Sequence, residues 1–129
     1  MKRIIVLSTA IVIILLSAPK LAESNINNKT SAEWGVMDSK TYARDQLTMW
    51  KEKQWSCLSK LWGKESAWNP SAYNSIRVMG KHAGGIPQLL GLDPKTPPTR
   101  QIERGLSYIY YRYGTPCAAY DHFKKKGWH

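Results

Sequence analysis

Residues 55–70 read WSCLSKLWGKESAWNP. Wound into a helix at about 100° per residue, with Cys57 at 0°, Leu61 falls at about 40°, Leu58 at about 100°, Trp62 at about 140° and Trp55 at about 160°. Lys53, Ser56, Ser59, Lys60 and Lys64 all fall on the opposite side. One apolar arc and one polar arc predict an amphipathic helix over residues 54–65, ended by Trp68-Asn69-Pro70. Glu65 falls at about 80°, within the arc that the pattern reserves for a core or a cleft wall.

A carboxylate in such a place needs a reason. Burial disfavours the charged form of a carboxyl group, so a desolvated Glu holds its proton to higher pH. A carboxylic acid that keeps its proton can donate it to a departing sugar oxygen, which is a poor leaving group unless protonated. A helix terminus that faces a loop is also a natural cleft position. The competing reading is structural: a solvated residue at a frayed helix end, or an ion-pair partner of Lys64 or of a distant Arg. Periodicity alone does not separate the two.

Working outward, residues 42–50 predict a first helix before this one. Residues 69–99 hold five of the seven prolines and four of the nine glycines. Such a stretch is mostly loop and turn, with room for a short hairpin. Thr99 reads as the cap of a third helix with Ile102, Leu106 and Ile109 on one face, ended by Gly114. Thr115-Pro116 starts a fourth: Thr caps, and Pro occupies the first position, where a missing N–H costs nothing. Lys124, Lys125 and Lys126 then suit the negative end of the helix dipole, and Gly127 terminates it. Trp and Tyr supply 13 of 129 residues; aromatic faces stack on sugar rings and also fill small cores. Tyr110, Tyr111 and Tyr113 cannot all face one way on a helix, so at least one is exposed. The expectation is a small, mainly α domain with one long irregular segment.

The start of the chain has a different character. Lys2 and Arg3 precede an apolar run over residues 4–18 (IIVLSTAIVIILLSA). Residues 1–24 read as a signal peptide or an N-terminal anchor, because the run is short for a membrane span of about 20 residues. Residues 25–39 are polar, with several Asn, Ser and Thr, and read as a flexible link. Residues 40–129 form the expected domain, one modest core in size. The whole chain has 19 basic and 9 acidic residues. Without Lys2, Arg3, Lys20 and Glu23 of the leader, 16 and 8 remain, a net charge of +8. That balance fits an anionic partner, whether cell-wall polymer, membrane surface or nucleic acid. The dispersed charge and the lack of a recognition motif speak against nucleic acid.

Cys57 and Cys117 are the two cysteines. An even count in an exported domain suggests one disulfide, with two buried thiols as the alternative. A bond would close a loop of about 60 residues and stabilise by about 3–4 kcal/mol in the chain-entropy model. Three scattered histidines, His82, His122 and His129, form no metal-ligand spacing with them.

Several of these segments together resemble one family. Residues 54–58 (QWSCL) through Leu61-Trp62, Glu65-Ser66 and Trp68-Asn69-Pro70 resemble the catalytic-helix segment of soluble lytic transglycosylase-like domains. Gly85-Ile86-Pro87-Gln88 resembles their Gly-x-x-Gln motif. Gly105 and Tyr108, within residues 102–113 (IERGLSYIYYRY), resemble their Gly-x-x-Tyr helix. Residues 114–120 (GTPCAAY), followed by Gly127-Trp128, resemble the closing segment of a small secreted and phage-borne branch. Four motifs in order across residues 40–129, with a cysteine in two of them, are a fairly specific pattern.

The resemblance implies a lysozyme-like fold of the goose-type lysozyme kind. It implies Glu65 as the single catalytic acid/base and Ser66 as a supporting neighbour. It further implies Gln88 lining the cleft, Tyr108 positioning the Glu, and Tyr120 as an aromatic of the cleft floor. The cysteines resemble a disulfide that ties the catalytic helix to the last helix. The chain departs from the pattern in residues 74–84, which are longer and more basic than usual. Gly84 stands where a bulky residue is common, and residues 89–98 are short of the usual pattern.

The activity so implied is peptidoglycan cleavage between N-acetylmuramic acid and N-acetylglucosamine, leaving 1,6-anhydromuramoyl ends. No cofactor or metal is needed. The expected partner is the peptidoglycan glycan strand, bound by a monomer that is secreted or located in the cell envelope, with no nucleic acid and no stable membrane insertion once the leader is removed. A hydrolytic muramidase on the same fold would need a second carboxylate. Asp45, Glu52, Asp93, Glu103 and Asp121 are the candidates, and none comes with a motif. A basic wall-binding protein without catalysis is the reading from a different class.

Overall fold

The computed structural model describes residues 29–30, 33–48 and 50–129. The leader and most of the polar link lie outside them. The described chain runs α1 (Val36–Asp45), α2 (Glu52–Ser66), β1 (Tyr73–Val78), β2 (Lys81–Gly84), β3 (Leu89–Leu90), α3 (Pro98–Tyr113) and α4 (Pro116–Lys126). It is mainly helical, with one small antiparallel sheet in the order β1-β2-β3.

The apolar arc of α2 is the centre of the core. Leu58, Leu61 and Trp62 are buried, while Lys53, Ser56, Lys60 and Lys64 are exposed. From α3, Ile102, Leu106 and Ile109 pack into the same cluster, joined by Ala119 of α4 and Ala43 of α1. Tyr110 and Tyr111 face outward. A disulfide joins Cys57 of α2 to Cys117 of α4, with Cα atoms 4.9 Å apart. Beside it, the Cys117 N–H donates to Gln54 Oε1 at 2.8 Å, so the start of α4 is fixed to the first turns of α2. Thr115 caps α4 by accepting from the Ala118 N–H, and Gly127 closes it at φ +78°.

Two helix starts differ from expectation. The first helix begins at Val36, not near residue 42, and ends at Asp45. The segment 34–39, expected within the flexible link, is ordered by its own contacts. Trp34 is buried and donates its indole N–H to Ser39 Oγ at 2.7 Å. Asp38 accepts from the Gly35 N–H at 2.9 Å, which satisfies a backbone donor at the helix start. Lys29 pairs with the same carboxylate and, ahead of the Gly35 contact, holds Asp38 below its ordinary range. The third helix is capped at Pro97 with Pro98 in its first turn, so Thr99 lies inside the helix and does not cap it. Proline's fixed φ is already helical at that position.

Helix α2 ends in a left-handed turn without glycine. Ala67 and Trp68 have φ of 52° and 61°. The Ala67 and Trp68 N–H groups bond back to the carbonyls of Gly63 and Trp62, the pattern that closes a helix and reverses the chain. A left-handed conformation costs an L-residue roughly 1–2 kcal/mol. The return is the burial of Trp68, whose ring packs on Trp62 and Trp55 at centroid distances of 5.2 and 5.7 Å. Its indole N–H donates to the Ser59 carbonyl at 3.1 Å. Glu65 therefore sits in the last turn of a helix whose end is fixed in place.

The irregular segment does form the hairpin that its turns allow. Val78 pairs with Lys81 around a two-residue turn, Met79-Gly80, with both residues at positive φ. The rest of the segment is gathered by Gln101 of α3, which is fully buried. Its Oε1 accepts from the Ile86 N–H at 2.9 Å. Its Nε2 lies 2.8 to 3.2 Å from the carbonyls of Pro70, Pro94 and Thr96. One amide thus holds three stretches of a loop that has little core of its own.

Candidate active site

The candidate residues lie on α2, the 85–88 turn, α3 and α4. Glu65 and Ser66 lie at the end of α2. The Ser66 hydroxyl donates to the Ile86 carbonyl at 2.7 Å, which fastens that helix end to the Gly85–Gln88 turn. Gln88, at φ +52°, donates its amide to the Gly85 carbonyl at 2.9 Å and bridges the same turn. Helix α3 meets both at Gly105. A Cβ there would lie 2.6 Å from Trp62 Cζ2 and 2.7 Å from Pro87 Cβ, so only a glycine admits the turn and α2 this close. Tyr108 follows one turn later on α3.

Gly84 has a steric reason of the same kind. It is buried, and a side chain on it would collide with the Leu92 carbonyl oxygen. The backbone of residues 92–94 crosses where a bulky residue would project. Gly85, at φ +72°, is closed in by the Gln101 amide. Both glycines belong to the compaction of the loop around Gln101.

The Glu65 side chain is 15% exposed. Its Oε1 lies 2.8 Å from Nδ1 of His129, whose side chain is 1% exposed. The Tyr108 ring packs edge-on against that imidazole at 5.8 Å and makes no hydrogen bond to Glu65. Burial pushes the Tyr108 phenol above its ordinary 10.0, so it remains a neutral hydroxyl. Tyr120 is half-buried on α4, with the Lys124 ammonium 4.9 Å from its ring centre; no contact joins it to Glu65. Ser66 is thus tied to the turn that carries Gln88, and Tyr108 approaches Glu65 only through His129, while Tyr120 packs against the core apart from these contacts.

Four of the five other candidate carboxylates have partners elsewhere. Glu103 accepts from the Tyr42 hydroxyl and pairs with Arg100. Glu52 pairs with Arg44, and Asp121 with Lys124. Asp93 accepts from the Lys95 N–H within a turn. Asp45 is exposed at the end of α1. Among the described residues, no group of three His, Cys, Asp or Glu side chains could hold a metal ion, and no helix is long and apolar enough to cross a membrane.

Sequence reasoning missed two residues here, Gln101 and His129. A Gln in the first turn of a helix usually faces solvent, and a lone His two residues after a helix-ending glycine carries no periodic signal. The one available signal was Gly127 itself, because a left-handed glycine cap turns the chain back toward the body of the fold. No family model matches the chain, and neither the curated proteins nor the solved structures contain a match to it.

Proposed function

We propose that this chain is a peptidoglycan lytic transglycosylase of lysozyme-like architecture, with Glu65 as its single acid/base. The observation that supports the reading is the Glu65 carboxyl group, 15% exposed at a fixed helix end, with its neighbour Ser66 bonded to the 85–88 turn and the Tyr108 ring set against the imidazole that reaches Glu65. In this reading Glu65 gives its proton to the glycosidic oxygen as the bond from the muramoyl C1 breaks. The oxocarbenium-like centre is then attacked by the same sugar's 6-hydroxyl, and Glu65 takes up the proton that this hydroxyl loses. Atoms balance without water, and the product is a 1,6-anhydromuramoyl end. A nucleophile already tethered to the reacting sugar has an entropic advantage over one drawn from solution.

The engagement of Glu52, Asp93, Glu103 and Asp121 elsewhere favours one carboxylate over two. The net positive charge suits a polyanionic wall, and the Cys57–Cys117 bond is compatible with an exported, oxidised domain. The test is mass analysis of digested peptidoglycan. Anhydro-muropeptides support the proposal. Reducing-end products at the same rate would replace it with a hydrolytic muramidase, and absence of digestion would leave a wall-binding protein.

A further inference from the structure

Resting on the reading of Glu65 as the acid, we infer that His129 is the positioning residue of that carboxyl group. It would hold Oε1 so that Oε2 is the oxygen presented to the glycosidic bond.

The segment after α4 is built to deliver this side chain. Gly127, in the left-handed region, returns its N–H to the Phe123 carbonyl at 2.7 Å and turns the chain back. Trp128 is half exposed, yet it is held on two sides. Its ring packs on His122 at 4.6 Å, and the Arg112 guanidinium lies 5.2 Å above it. With Trp128 fixed, the imidazole of His129 passes beside Tyr108 and reaches Glu65. A large apolar ring stays half in water while a polar ring is buried, the reverse of what burial of apolar area alone would select. Placing an imidazole beside a desolvated carboxyl group is costly unless the two are hydrogen-bonded to each other.

The hydrogen bonds of the pair are one-sided. His129 Nε2 is buried and has no partner among the described residues, so Glu65 is the imidazole's one hydrogen-bonded anchor there. A neutral ring with its proton on Nδ1 donates to Oε1 and leaves Nε2 as an unshared lone pair, which is the less costly group to bury unpaired. Glu65 Oε2 receives no hydrogen bond from the described residues, so one oxygen is held and the other is left for substrate. Tyr108 then acts at one remove, as the wall against which the imidazole is set.

The experiment uses the full chain and three variants. His129→Asn keeps an N–H donor near the place of Nδ1, His129→Phe keeps the ring and loses the donor, and Glu65→Gln reports on the acid. Turnover of purified peptidoglycan should fall about 10-fold in kcat for the Phe variant, the size of one lost hydrogen bond, with KM little changed. The Asn variant should recover most of that loss. Equal kcat for Phe and parent, or equal loss for Phe and Asn, would overturn the positioning role. A readout independent of turnover is the imidazole 15N spectrum. The His129 resonances should move in Glu65→Gln and stay in place in Glu103→Gln; no movement in Glu65→Gln overturns the pair itself. If Glu65→Gln digests peptidoglycan like the parent while the resonances still move, the functional reading has failed and the contact stands as structure alone.

Discussion

Gly63 and Gly105 allow the same chemical change, glycine to alanine inside a helix, to be predicted with opposite signs. In a helix interior alanine is favoured over glycine by about 0.8–1.0 kcal/mol, since glycine loses more backbone freedom on folding. At Gly63 of α2 nothing opposes that gain, because an added Cβ meets only Trp68 Nε1, at 4.0 Å. Gly63→Ala should therefore stabilise by up to about 1 kcal/mol. At Gly105 of α3 the Cβ would lie 2.6 Å from Trp62 Cζ2 and 2.7 Å from Pro87 Cβ. Trp62 and Pro87 are both fully buried and cannot swing aside. Overpacking of this kind costs typically 1–3 kcal/mol, and two contacts under 3 Å against locked side chains place it in the upper part of that range, so after the propensity gain the net effect is a loss of about 1–2 kcal/mol. In a domain of this size that lowers Tm by roughly 5–15 °C. Urea unfolding followed by tryptophan fluorescence measures both variants, with midpoints compared at constant m. Because the turn that must yield carries Gln88, Gly105→Ala should also lose activity, and Gly63→Ala should not. A Gly105→Ala protein as stable as the parent would refute the claim that α2, α3 and the 85–88 turn meet at this point.

Other perturbations address other links. Gln101→Leu removes a buried amide that accepts from the Ile86 N–H and shares its two N–H groups among three nearby carbonyls; a loss of roughly 3 kcal/mol is expected in the same unfolding assay. Replacing Cys57 and Cys117 together by Ser should cost about 3–4 kcal/mol, measured against the oxidised parent. Asp38 is held below its ordinary 3.8 by Lys29 and the Gly35 N–H, so its contribution is complete above that value and is lost as pH falls through the lower folded one. Asp38→Asn should accordingly be less stable near neutrality and show a shallower loss below about pH 4, read from unfolding free energies across the acid range.

How much of this could be read from residues alone depends on where each contact arises. The arc of α2 was legible because Leu58, Leu61 and Trp62 repeat at helical spacing, and Glu65 stood out against that repeat. The caps of α4 were legible because Thr115, Pro116 and Gly127 act locally. The start of α1 was not, since it depends on Trp34 and Asp38 within a stretch whose composition reads as a linker. The compaction of residues 69–99 was hidden because loops carry no periodicity. Its organiser, Gln101, acts on carbonyls up to 31 positions away. The same holds for His129, which is 64 residues from Glu65 in sequence and 2.8 Å from it in space. Steric reasons for Gly84 and Gly105 likewise lie in what crosses them, not in their neighbours along the chain.

The central claim concerns the Glu65 carboxyl group, and one digest tests it. Purified peptidoglycan is incubated with the parent and with Glu65→Gln, and the soluble muropeptides are weighed by mass spectrometry. The account predicts anhydro-muropeptides from the parent and a fall of about 10²–10⁴-fold for the variant, the usual contribution of a general acid/base. Release of the same products at the same rate by Glu65→Gln would contradict it.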